Sequence, residues 1–206
     1  MLFKSLALVS LLLTVLILPR IADILPNIGA SLLWWKENIN IDTNIRLRRD
    51  RDMVAAVLIV PFCLAACRLK LFDADFMNGL SEELQICVTF GVFAGWLMIR
   101  KAVYASLRSR KINSSVYHAA DSSANTYFIV LCALTLTVCG IYSVFDISLT
   151  AARIATFWVS GTIYLLYLVR KTQIFSSVCN FFRSFLYLCA LEILPTGVLI
   201  ASAVVF

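Results

Sequence analysis

Between its apolar runs this chain never has more than roughly thirty-five residues in which to build anything else. A domain with its own core is typically at least ~50 residues. Every polar segment is therefore a connection, and the fold must be made from the apolar runs themselves. These runs fall at about 2–18, 53–71, 84–99, 127–145, 151–169 and 184–206. Apolar stretches of about 18 residues or more read as membrane spans. The chain is 61% apolar and 15% charged, against about 45–50% and about 25% for soluble domains. The expectation is an all-α membrane protein, with residues 1–206 forming one bundle of about six transmembrane helices. An interfacial or re-entrant segment follows the first span.

The net charge of +6 does not point to nucleic acid, because the positive charges lie in short connections between apolar runs. The connections after the first, third and fifth runs carry Arg20, Lys36, Arg46, Arg48, Arg49, Arg51, Arg100, Lys101, Arg108, Arg110, Lys111, Arg170, Lys171 and Arg183. The other side carries only Lys4, Arg68, Lys70 and Arg153. The positive-inside rule puts the larger set in the cytoplasm and the C-terminus outside. Arg46, Arg48, Arg49, Arg51, Arg170 and Lys171 are assigned to this topology signal and to lipid headgroups. The seven cysteines form no C-x-x-C pair. Six lie within apolar runs and Cys179 lies in a short connection, the pattern of packing rather than of a disulfide framework.

The first run resembles a signal-peptide core but lacks a close small-x-small cleavage site, so it reads as a retained anchor. Residues 20–52 form the longest connection. Within it Ile21 to Trp35 is semi-apolar and broken by Pro26 and Gly29. Fifteen helical residues reach only ~22 Å, so a surface-lying or re-entrant piece fits better than a crossing. Trp34-Trp35-Lys36 reads as an interfacial anchor. Were the piece to cross, there would be seven spans and a cytoplasmic N-terminus.

The last run carries the feature with the most chemical content. Glu192 lies within RSFLYLCALEILPTGVL, eight residues past Ser184. That places it ~12 Å along a helix that crosses a layer about 30 Å thick, near the middle. A charged group there is costly and normally faces the bundle interior. Cys189 and Pro195, three residues to either side, share its face, and Tyr187 lies five residues earlier. Pro195 has no N–H for the carbonyl of Leu191, which predicts a kink beside the acid. Glu192, Cys189, Pro195 and Tyr187 are the candidate polar site. It is either a proton or cation site, or a hydrogen-bonded lock between helices.

Gly91 and Gly95 form a G-x-x-x-G pattern and Gly161 follows Ser160, marking helix-packing faces toward this chain or another. The only histidine, His118, has no evident catalytic partner. There is no G-x-S-x-G, no His/Asp metal cluster and no pair of intramembrane acids, so no metal and no cofactor is expected.

The run Leu186-Tyr187-Leu188-Cys189-Ala190-Leu191-Glu192-Ile193-Leu194-Pro195 resembles the C-terminal signature of a domain-of-unknown-function family of multi-pass membrane proteins from Bacteroidota. Arg170-Lys171 and Asn125 also look like that family. The chain departs from the pattern in lacking a lysine after Pro195 and a proline in the fourth span. The resemblance implies a bacterial inner-membrane location and no established activity. The sequence thus favours a non-enzymatic accessory or structural subunit, in contact with the bilayer and with other membrane proteins or itself. The alternative is a small oligomeric transporter coupled through Glu192. A lipid-directed enzyme ranks last.

Overall fold

The computed structural model describes residues 2–71, 79–106, 114–145, 147–177 and 181–198. Among these there is no strand. The helices are α1 (Leu2–Leu33), α2 (Trp35–Thr43), α3 (Ile45–Arg68), α4 (Glu82–Ser106), α5 (Ser114–Phe145), α6 (Leu149–Ser176) and α7 (Phe181–Leu188). A π-helical turn, Cys189–Ile193, continues α7, and residues 194–198 return to α-helix. Four helices are long and apolar enough to cross a membrane: Lys4–Leu33, Glu82–Ser106, Tyr117–Phe145 and Leu149–Ser176. Ser184–Val198 is a shorter apolar helix. Cys179, Arg108, Arg110 and Lys111, weighed above, lie outside the described residues.

α5 is the hub, packed on α6 along one side and on α3 along the other. One apolar cluster joins α1, α3 and α5 through Ile17, Ile24, Ile28, Val54, Ala55, Leu58, Ile129 and Cys132. Another joins α4, α5, α6 and the terminal helix through Tyr104, Tyr117, Ala120, Ile174, Phe175 and Leu191. Outside these clusters the long helices expose leucines and aromatics such as Leu16, Val144 and Trp158 at 74%, 74% and 75%. A soluble fold would bury such a surface, whereas lipid solvates it.

The first helix differs from the sequence reading. An interruption was expected after Leu18, yet α1 runs unbroken from Leu2 to Leu33 through Pro19 and Pro26. In an apolar setting an exposed backbone group has no water to bond, so keeping the ladder outweighs the local cost of proline. The helix meets its neighbours at both ends of its second half. Arg20 pairs with Asp50 on α3, close in sequence to Asp52, which takes a hydrogen bond from Asn125. The Ser31 carbonyl takes one from Tyr127, only two residues beyond Asn125. Eleven residues of straight helix would separate Arg20 and Ser31 by ~16 Å. Trp34, extended at φ −127°, turns the chain into α2, which packs against α1, α3, α5 and α6.

The other helices overrun their apolar cores, chiefly toward the side rich in arginine and lysine. α3 begins at Ile45 rather than Met53, where Asn44 caps it by accepting from the amides of Arg46 and Leu47 at 3.1 and 3.4 Å. α4 continues to Ser106 and α6 to Ser176. α5 begins at Ser114, so most of the expected polar loop before Tyr127 is helix. Its small residues Ala119, Ala120, Ser122 and Ser123 are all buried, because they let neighbouring helices close on it. These extensions build a polar layer beneath the apolar bundle.

Candidate functional site

Glu192 sits in the π turn with 2% of its surface exposed. Its Oε1 accepts from Arg100 Nε at 3.3 Å, from the Tyr104 hydroxyl at 2.9 Å and from the Lys171 ammonium. The donors come from two helices, Arg100 and Tyr104 on α4 and Lys171 on α6. Lys171 also donates to the Tyr167 hydroxyl at 2.8 Å, and is fully buried. Its ammonium lies 4.5 Å from the Tyr104 ring centroid and 5.1 Å from that of Tyr167. The Arg100 carbon Cζ lies 5.2 Å from the Tyr104 centroid. Ring quadrupoles thus face both cations, partly replacing the water that each has lost.

Arg100 reaches further. Its Nη2 donates to the Asp121 carbonyl at 3.2 Å and carboxylate at 3.4 Å. The cluster therefore holds two cations, Arg100 and Lys171, and two acids, Glu192 and Asp121. A neutral set of this kind removes the Coulomb cost that a lone buried charge would carry. Asp121 alone of the four keeps substantial solvent contact, with its side chain 41% exposed.

The backbone around Glu192 follows from Pro195. With no N–H at that position the ladder loses one bond, that to the Leu191 carbonyl. The Leu194 N–H instead reaches back to the Cys189 carbonyl, five residues away. The Glu192 carbonyl accepts from the Tyr164 hydroxyl of α6 at 3.2 Å. The turn that holds Glu192 is π-helical, and its carboxylate lies between α4 and α6. Tyr187 is half-buried and stacks on Phe175 of α6 at 6.1 Å. Cys189 is half-buried and Pro195 is buried.

The partners of Glu192 lie far along their own helices. Arg100 lies ~27 Å along α4 from Glu82, Lys171 ~33 Å along α6 from Leu149, and Asp121 ~36 Å from the Phe145 end of α5. These groups therefore stand far along their helices, at one end of the bundle, and Glu192, bonded to them, lies at that end.

A second polar network lies between α2, α3 and α5. Arg51, 1% exposed, places Nη2 2.9 Å from Asp52 and 3.5 Å from Asp42. Asp42 also accepts from Ser122 at 2.8 Å and pairs with His118 at 3.3 Å, while Asp52 accepts from Asn125 at 2.9 Å. His118 therefore has a structural partner on α2. The two networks meet on one turn of α5, where Asp121 serves the first and Ser122 the second.

A family model described as a domain of unknown function, DUF4271, matches residues 3–202. The chain belongs to the DUF4271 family. No curated protein and no solved structure matches it.

In this DUF4271 member the basic residues assigned to headgroups separate by burial. Arg51 and Lys171 are inside the two charge networks, which removes them from any lipid surface. Arg170 is half-buried and closes the end of α1 by donating to the Leu32 carbonyl at 3.2 Å, with a second bond to Gln173. Arg46 is exposed and paired with Asp23 and Asp50. Arg48 is half-buried and Arg49 exposed. The packing glycines have no internal mate among the described residues. A Cβ built on Gly91, Gly95 or Gly161 would meet nothing within 4 Å.

Sequence reasoning missed Arg100, Tyr104, Tyr167 and Asp121. A signal for three of them was present. Arg100 precedes Tyr104 by four residues, and Tyr167 precedes Lys171 by four, so each cation shares a helix face with a tyrosine. Within Arg100-Lys101 and Arg170-Lys171, one member turns inward and the other does not.

Proposed function

We propose that this protein is a multi-pass component of a bacterial inner membrane, non-enzymatic, serving as a structural or accessory subunit of a membrane assembly. In this reading the chain crosses six times. α1 enters, α3 to α6 alternate, and the terminal helix leaves, with both ends outside. The observation that carries the proposal is the closure of Glu192: a carboxylate 2% exposed, satisfied by three donors from two other helices. Such a group holds the terminal helix to α4 and α6 and leaves the carboxylate no route to a passing ion. The open small-residue faces at Gly91–Gly95 and Gly161 supply contact surfaces for another membrane protein or a second copy.

The alternative, a small transporter using Glu192 as a proton or cation site, draws on the π turn, since such turns are frequent at functional sites. Proteoliposomes separate the two. Vesicles holding the wild type and Glu192→Gln should be equally tight to protons and alkali cations under an imposed gradient. A wild-type flux abolished by the substitution would replace the accessory reading with the transport one. A photo-crosslinker at position 91 or 161 should give a discrete membrane-protein adduct in cells, and its absence at both positions would remove the assembly role.

A further inference from the structure

The two clusters of acid and base account for most of the inner charges, but they leave a remainder. Asp23 and Asp50 are taken by Arg46 and Arg20, and Asp42 and Asp52 by Arg51. Arg48 and Arg49, on the first turns of α3, have no acid against them among the described residues. Exposed apolar residues lie in the same connection and on the same helix. Ile45, which opens α3, is 81% exposed, and Leu33 and Trp34, at the α1–α2 corner, are 69% and 68% exposed. Lys36 lies over the Trp35 ring at 5.8 Å, the pairing of an amphipathic ring with a cation found at headgroup level. Water would penalise these corners, and a protein partner would have to supply acids that the chain's own surface does not offer. An exposed Ile45 one turn before uncompensated arginines, with Leu33 and Trp34 exposed in the same connection, matches an anionic leaflet, with acyl chains against the apolar side chains and phosphates against the guanidiniums.

We propose that Arg48 and Arg49 form a phosphate-binding site for anionic phospholipid of the inner leaflet. Arg51, two residues on, takes no part, because it is 1% exposed and lies against Asp42 and Asp52. Arg46 contributes weakly, since Asp23 and Asp50 already face it. Arginine suits the role because its planar fork can hold two phosphate oxygens at once. This inference does not depend on whether the protein is an accessory subunit or a transporter.

The test is a lipid titration of the detergent-purified full chain by native mass spectrometry, comparing phosphatidylglycerol with phosphatidylcholine. The wild type should prefer the first phosphatidylglycerol, and Arg48→Gln with Arg49→Gln should lower that preference by about fivefold per arginine, the weight of one basic side chain near an anionic leaflet. Arg46→Gln should change it less than twofold. The double variant removes exposed or half-exposed side chains, so it should keep the wild-type melting temperature, which is read on the same samples. An unchanged preference in a folded double variant, or an equal loss from Arg46→Gln, would overturn the site. Should the double variant melt early, Arg48→Lys with Arg49→Lys keeps charge without the fork. A partial loss of preference there supports the proposal and no loss at all contradicts the bidentate site.

Discussion

At the scale of single residues, the account rests on donors that converge on one carboxylate. Tyr104→Phe deletes one bond to a charged acceptor and keeps the ring that faces Lys171 and Arg100. It should cost about 1.5–3 kcal/mol, read by unfolding in bicelles. Tyr164→Phe removes a neutral bond to the Glu192 carbonyl and should cost about 1 kcal/mol on the same assay. Arg51→Met tests the second network. It leaves Asp42 and Asp52 without their guanidinium, so a loss of about 3–5 kcal/mol is expected, against near-zero for Arg49→Met on the exposed face. How much of this was legible depends on the residue. Glu192 stood out because it is the one acid in a long apolar run. Arg100 and Lys171 did not, because each sits in a basic pair at a span's end, where the positive-inside rule already explains a charge. Only the helix period that joins each cation to a tyrosine distinguishes a buried cation from a topological one.

At the scale of elements, the apolar runs marked the helices but not their ends. Hydropathy reports the part of a helix that touches lipid, and here α3, α4, α5 and α6 continue past that part to build a polar layer. The segment Asp121-Ser-Ser-Ala-Asn125 looked like loop because its residues are polar and small. The same smallness is what lets it lie buried against neighbouring helices. Local end signals are sound where they occur. Asn44→Ala should destabilise α3 by about 1 kcal/mol through loss of its cap. The other end of α3 closes in a Schellman motif, with Leu71 N–H to the Ala66 carbonyl at 3.0 Å and Lys70 N–H to that of Cys67 at 3.1 Å. Lys70 holds φ at 46°, a left-handed position that costs a residue with a Cβ roughly 1 kcal/mol or more. Lys70→Gly should therefore raise stability by about 0.5–1 kcal/mol, an uncommon sign for a glycine substitution.

At the scale of the whole molecule, the long helices close at one end through charge and aromatic contacts, while their apolar flanks face outward. The six-crossing arrangement predicts that single cysteines at positions 49, 101 and 177 react with maleimide only from the cytoplasm, and those at 70 and 148 only from outside. The terminal helix is the piece whose position depends most on the buried cluster, because it meets the bundle mainly through α6 and α4. The most direct measurement is a double-mutant cycle on Glu192→Gln and Lys171→Met, with unfolding free energies from steric trapping in bicelles. Glu192→Gln should lose about 3–5 kcal/mol, since it strands two buried cations, and the pair should couple by about 2 kcal/mol. A loss within about 0.5 kcal/mol and no coupling would mean that Glu192 does not hold the terminal helix, and the lock would have to be abandoned.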